Sequence, residues 1–473
     1  MSETAQPLKV VVVGAGPGGY VAALRAARHG AAVTLVEKDL IGGTCLNRGC
    51  IPAKTLLASA HALSQARSGE EYGFTVAGEV TPDLNRIMDR KERVVAQIRG
   101  NVDVLLKKAK VTVVRGAGRL VPPVAGQVVP QVVVDTADGK VTVEADKLII
   151  ATGSEPVFLP MFDFSHPAIL TSTDVMELRK IPASMIVVGA GVIGCEFASF
   201  YAQLGTQITM VEMMPQMLPL EDNRLAKQFQ QVFRKKGIAV LLKTKVESIS
   251  EYGDDYVVAK LSDGSEIKAE KLLVSVGRKP NSKGIGLEEC GIEADGRGFV
   301  VVNDGLETNV PGVYAIGDVN GGLMLAHVAS HEAFIAVDNA LGGNRTRDLR
   351  FTPSCTYTDP EVASIGLTEE QAAESGYQPV TGTYRFSALG KAIAMGEDTG
   401  YVQLIADKET DLLLGANMMG PHVTDVIHEV AVALQAGMTV TKLGETIHAH
   451  PTLAEAVMEA AHDVHGESVH IAR

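Results

Sequence analysis

Lys9-Val10-Val11-Val12-Val13-Gly14-Ala15-Gly16-Pro17-Gly18-Gly19 decides how the rest of the chain is read. The first five residues are a short β-branched run that reads as a buried strand. A glycine turn follows at once, then an Ala-rich helical pattern to His29, then a second apolar run at residues 33–36 that ends on Glu37. Strand, glycine turn, helix, strand and acid together form a dinucleotide-binding unit. Gly14 and Gly16 allow a tight turn and close approach of a pyrophosphate, and Gly19 lets the helix pack on the strand. The free N–H groups at the helix start face the phosphates, and Glu37 is placed to accept from an adenosine ribose. The pattern recurs with a strand at residues 185–188, the turn Gly189-Ala190-Gly191-Val192-Ile193-Gly194, a helix and a strand ending on Glu212. From first glycine to acid the offset is 23 residues in both copies, 14 to 37 and 189 to 212. One glycine turn alone is weak evidence; two complete units predict two dinucleotide sites. Met213 and Met214 follow Glu212 with no Arg nearby, so the second site is expected to prefer NAD over NADP.

A chain of 473 residues has room for about three or four domains. Its 46% hydrophobic and 21% charged residues are those of a globular protein. A net charge of −13 argues against nucleic acid and anionic membrane as partners. No run of eighteen apolar residues is long enough to span a bilayer, and residues 1–9 are too short and polar for a signal peptide. Five cysteines, an odd number, suit a reducing cytoplasm.

Two of those cysteines flank Leu46-Asn47-Arg48-Gly49, just beyond the first dinucleotide unit. In a regular helix the Cα atoms of Cys45 and Cys50 would lie roughly 8–9 Å apart. A disulfide needs about 4.4–6.8 Å. A bridge therefore requires an irregular turn, for which Gly42, Gly43, Gly49 and Pro52 supply freedom and a stop. Held beside a cofactor, such a pair reads as a redox disulfide; unrelated buried thiols or half of a metal site are the other readings. No second Cys pair and no Cys/His cluster at zinc spacing accompanies it, and no metal is expected.

Further on, residues 55–68 and 84–110 read as helices, 111–114 and 131–134 as strands, and 156–167 as a Pro-rich linker. Leu148-Ile149-Ile150-Ala151-Thr152-Gly153 and Leu272-Leu273-Val274-Ser275-Val276-Gly277 are buried strands that close the two units. Gly312-Val313-Tyr314-Ala315-Ile316-Gly317-Asp318 delivers one carboxylate at a strand end, either a ligand for a flavin's sugar-alcohol chain or an ordinary loop Asp. From Thr352 onward antiparallel strands and two helices, the second opened by Pro451, form a separate α+β domain. His448 and His450 precede that last helix, with Glu455 five residues after the second. A His with a carboxylate to fix its tautomer suits general acid–base work; packing histidines are the plainer reading.

Together these pieces resemble the pyridine nucleotide–disulfide oxidoreductases, nearly end to end. The resemblance rests on the segment from Gly42 to Lys54 and on His448-Ala449-His450-Pro451-Thr452-Leu453-Ala454-Glu455. It implies an α/β fold with two Rossmann-like domains, for FAD and NAD, plus a C-terminal α+β dimerisation domain. The implied division is 1–155 and 279–350 for FAD, 156–278 for NAD and 351–473 for dimerisation. It makes Cys45 and Cys50 the redox disulfide, His450 the base and Glu455 its orienting partner, with each site taking its cysteines from one chain and His450 from the other. FAD would be held by Gly14, Gly16, Gly19, Glu37, Gly43, Thr44, Lys54, Gly118, Thr152, Gly153, Asp318 and Ala326. NAD would be held by Gly189, Gly191, Gly194, Glu196, Glu212, Val246 and Gly277, with Lys54 and Glu196 an ion pair near the reacting rings. Within the family the resemblance is to enzymes that reoxidise dihydrolipoyl groups. It implies as partners a second copy and a lipoyl-bearing protein, or the acyltransferase core of a 2-oxo acid dehydrogenase complex; a glycine cleavage system is the other setting. An NADPH-dependent, glutathione-type disulfide reductase and a non-catalytic flavin-binding scaffold are the rival readings. Arg48 departs from the apolar residue expected between the cysteines.

Overall fold

The computed structural model describes residues 6–471. The chain forms two compact units, one from residues 1–55, 88–158 and 276–348, the other from 56–87, 159–275 and 349–473.

In the first unit a five-stranded parallel sheet runs Val313–Ala315, Lys147–Ile150, Lys9–Val13, Ala32–Glu37, Thr112–Arg115. Both faces are covered, which explains the uninterrupted apolar strands. Val10 and Val12 point into a core shared with the helices Pro17–Arg28 and Ala326–Ala340. Val11 and Val13 point the other way, against the antiparallel sheet Ala117–Val121, Gln131–Thr136, Gly139–Val143. The run at 131–134 thus belongs to a second sheet and not beside residues 112–115. Thr136 and Gly139 close its tight hairpin, whose Gly139–Val143 strand is mostly exposed.

The second unit repeats the plan. Its parallel sheet runs Ala239–Leu242, Gln207–Glu212, Ser184–Val188, Lys271–Val274, Ile169–Leu170, beside the antiparallel strands Val246–Tyr252, Val257–Leu261 and Glu266–Ala269. Its C-terminal part is a five-stranded antiparallel sheet whose core is closed by the helices Val423–Gln435 and Glu455–Val464. The architecture is therefore the expected α/β plan of two dinucleotide-binding halves with a C-terminal α+β portion.

Two helix starts differ from expectation. One helix begins at Cys50 and not Thr55, because Pro52 falls in its first turn, where a missing N–H is tolerated. The last helix begins at Glu455, not at Pro451. The His450–Pro451 peptide is cis, and Glu455 turns back to accept the Thr452 N–H at 2.7 Å.

Candidate active site

The glycines of the first turn divide by what surrounds them. Gly14 has φ +101, and a Cβ there would lie 2.3 Å from the Ala151 carbonyl oxygen. A Cβ on Gly19 would lie 1.8 Å from the Gly14 oxygen, so helix and strand touch only through hydrogen atoms. Gly16 differs: a Cβ on it meets nothing within 4 Å. Glu37 is buried and fixes the turn, accepting from Ala15 N–H at 2.6 Å and Asp39 N–H at 2.8 Å. A cavity of about 490 Å³ opens beside it, lined by Gly14, Glu37, Gly118 and Thr152 among others. The Thr152 hydroxyl is buried without a partner. An open-faced glycine turn at a helix start, a cavity and an unanswered hydroxyl fit a dinucleotide. Gly153 follows in the left-handed region at φ +70. Asp318 accepts from the Ser154 hydroxyl, and Arg278 holds the same Ser154 through Nε and Nη2, each at 2.7 Å. Ala326 opens the helix Ala326–Ala340.

The second turn reproduces this geometry. Gly189 (φ +99) would place a Cβ 2.5 Å from Ser275 O, Gly194 one 2.1 Å from Gly189 O, and Gly191 one in open space. Glu212 accepts from Ala190 N–H at 2.7 Å and Met214 N–H at 2.8 Å. Glu196 is buried and accepts the Tyr357 N–H at 3.1 Å. The Val246 side chain is committed to the core with Val211 and Val274. Gly277 (φ +119) falls in the first unit, where its carbonyl accepts from Val157 N–H.

The cysteine segment is pressed onto the first turn. Gly43 sits so close that a Cβ on it would be 2.6 Å from Gly16 Cα. Thr44 and Cys45 lie in the short helix Gly43–Arg48, and Gly49, at φ −150 and ψ −111, breaks it before Cys50 begins the next helix. This is the irregular turn that a bridge requires. Asn47 ties the segment down, donating to Ile41 O and Gly43 O and accepting from Arg99. Arg48 pairs with Asp39 at 2.5 Å, both partly exposed. Cys45 and Cys50 are both half-buried and not joined by a bridge here. The hydrogen bond to Cys50 and then burial push the Cys45 thiol far up, against an opposing pull from Lys54 one turn along. Cys45 therefore holds its proton more firmly than an ordinary thiol. Burial pulls the Arg278 guanidinium below its ordinary value, while Asp318 and Cys50 oppose it; the cation faces the Cys50 side. Among the described residues no cluster of three His, Cys, Asp or Glu could hold a metal.

In the second unit His450 Nδ1 lies 2.8 Å from Glu455 Oε1 on a mostly exposed ring, 79%. Burial pushes the Glu455 carboxyl up, but the Thr452 N–H and His450 outweigh it and hold it below the usual carboxylate range. With Nδ1–H donating to the carboxylate, Nε2 is the atom left to take a proton. Arg278 and Arg99 were not anticipated: each acts on a partner far away in sequence, and neither sits in a patterned motif.

Two open-faced dinucleotide turns and a dithiol packed on one of them define the class, and the chain belongs to the pyridine nucleotide–disulphide oxidoreductase family. Residues 8–333 match that family's model and 352–461 match its dimerisation domain. The chain is 42% identical to the dihydrolipoyl dehydrogenase of Bacillus subtilis, with 98% of each covered. It is 41% identical to the mitochondrial dihydrolipoyl dehydrogenase of Pisum sativum, covering 98% of this chain and 92% of that one. Among solved structures it is similar to LpdA from Mycobacterium tuberculosis, at 30% identity and TM-score 0.89, over 96% of this chain and 99% of that chain. It is also similar to the HOCl-induced flavoprotein disulfide reductase RclA from Escherichia coli, at 29% identity and TM-score 0.86, over 96% and 99% of the two chains. No helix among the described residues is long and apolar enough to cross a membrane.

Proposed function

We propose that the protein oxidises dihydrolipoyl groups to lipoyl disulfide and reduces NAD, with residues 1–155 and 279–350 holding FAD, 156–278 holding NAD and 351–473 pairing two copies. The observation that carries this reading is the pair Cys45 and Cys50, hydrogen-bonded to each other on a segment packed against the first glycine turn. A substrate thiol gives its proton to His450 Nε2, and its sulfur attacks Cys45 Sγ. The Cys45–Cys50 bond breaks, and Cys50 leaves as a thiolate on the side of the Arg278 cation. The second substrate thiol then displaces Cys45, closing the lipoyl disulfide, so two electrons have moved to the cysteine pair. Bound FAD supplies the passage of that electron pair to NAD as a hydride. Glu455 keeps His450 in the accepting tautomer.

The match to a dimerisation domain supports two copies, with His450 of one serving the cysteines of the other. The relatives' substrate supports as partner a lipoyl-bearing protein or the acyltransferase core of a 2-oxo acid dehydrogenase complex. An odd number of cysteines, five, suits a cytoplasmic setting. The likeness to RclA supports the second reading, a different disulfide reductase; against its use of NADPH stands the Glu212 carboxylate. Assaying dihydrolipoamide and reduced glutathione, each with NAD and NADP, decides. Turnover confined to dihydrolipoamide with NAD is expected, and glutathione turnover with NADP overturns the proposal.

A further inference from the structure

His448, two residues before the proposed base, is held at both ring nitrogens. Nδ1 lies 2.7 Å from the Thr446 carbonyl oxygen and Nε2 lies 2.6 Å from Glu429 Oε1. A carbonyl oxygen only accepts, so Nδ1 carries the N–H. Between Nε2 and the carboxylate there is then one proton, on nitrogen or on oxygen, and the pair holds it in either arrangement. The His448 side chain is 5% exposed, against 79% for His450. A buried imidazole with both nitrogens engaged is an anchor and not a surface histidine.

We propose that His448 and Glu429 are positioning residues for His450. Through Glu429 the imidazole ties residues 446–450 to the helix Val423–Gln435. On the other side Glu455 ties Thr452 and His450 to the last helix. Ile447, just before His448, is 97% exposed, so the segment gains no side-chain packing there. Without the His448 anchor, the aim of His450 rests on Glu455 and on the bond from Thr452 Oγ1 to Ala449 O. The carboxylates beside His448 are Glu429, at hydrogen-bond distance, and Glu455 further along the segment. The proposal rests on His450 being the proton acceptor.

The test compares Glu429→Gln, Glu429→Leu and His448→Phe in the full-length, FAD-loaded enzyme. A Gln amide still donates to Nε2 while Nδ1–H still donates to Thr446, so the anchor survives without the shared proton. Dihydrolipoamide kcat/KM should fall roughly tenfold in Glu429→Leu and His448→Phe and stay within about twofold in Glu429→Gln. NADH oxidation by an artificial one-electron acceptor, which needs neither the dithiol nor His450, should be the same in all, as should FAD content. Equal dihydrolipoamide rates in every variant overturn the proposal. So does a loss in Glu429→Gln as large as in Glu429→Leu, or a parallel fall in the artificial-acceptor rate. Should Glu429→Leu fail to fold, His448→Asn keeps a donor for Thr446 but cannot reach Glu429, and the same tenfold loss is expected. His450→Gln controls for the underlying reading: if it is as active as wild type, the base assignment fails, whereas the anchor fails only through the Glu429 and His448 variants.

Discussion

Gly191→Ala separates a glycine needed for folding from one needed for binding. On Gly189 and Gly194 an added Cβ would collide with backbone oxygens at 2.5 and 2.1 Å; on Gly191 it meets nothing within 4 Å. The Gly191 backbone, at φ −74 and ψ −177, is one alanine adopts freely. The fold should therefore survive, and restricting the unfolded chain should add about 0.4–1 kcal/mol to stability. The methyl occupies the space through which a pyrophosphate reaches the N–H groups at the start of the helix Val192–Gln203. Losing two charge-assisted hydrogen bonds at about 1.5 kcal/mol each removes about 3 kcal/mol, or roughly 100-fold in Kd. Calorimetric titration of NADH into the FAD-loaded variant, beside its Tm, reads both quantities. Gly194→Ala should do the reverse damage, lowering Tm first. A Gly191→Ala protein with wild-type Tm and wild-type Kd for NADH would refute the placement of the nucleotide.

Replacing Glu212 by Ala together with Met213→Arg should shift the ratio of kcat/KM for NAD over NADP toward NADP, since a repelling carboxylate leaves and a phosphate partner arrives. Stability should fall as well, because Ala190 and Met214 lose their acceptor; an unchanged ratio means Glu212 is not at the ribose. Glu455→Ala should lower dihydrolipoamide oxidation by roughly 100-fold while leaving the artificial-acceptor rate alone, and equal losses in both would count against its role. Burial raises the Glu221 carboxyl, despite hydrogen bonds from Ser364 and Ser354. A raised folded value means the ionised group destabilises the native state above that value, and the penalty is relieved as pH falls through it. Glu221→Gln should therefore raise Tm at pH 8 and give a smaller gain near pH 5; the opposite trend would refute the sign.

The two dinucleotide units were legible because strand, glycine turn and acid are dictated locally by sterics and burial: Val10 to Val13 have no polar side to show. The antiparallel sheets were less so, since Gly139–Val143 is exposed and its pairing is set by neighbours. Pro52 and Pro451 misled for opposite reasons. One is absorbed in a helix's first turn, and the other precedes a turn that Glu455 closes before the helix begins. The Cys45–Cys50 turn was readable from its glycines, whereas the rise of the Cys45 thiol depends on the hydrogen bond between the two sulfurs and on burial. Asn47 stood inside the motif, but its partner Arg99 lies 52 residues away. Likewise His448 was visible as a residue, while its engagement by Glu429, 19 residues earlier, exists only in the fold.

The redox role of the cysteine pair is tested most directly by counting thiols. The FAD-loaded protein, prepared in air, is alkylated after denaturation with and without prior anaerobic treatment with stoichiometric NADH, and the labelled sites are mapped by mass spectrometry. Cys45 and Cys50 should be unlabelled without NADH and both labelled after it, with a matching amount of NAD formed and Cys195, Cys290 and Cys355 unchanged. Full labelling of Cys45 and Cys50 without NADH, or no gain at either on adding it, would contradict the account.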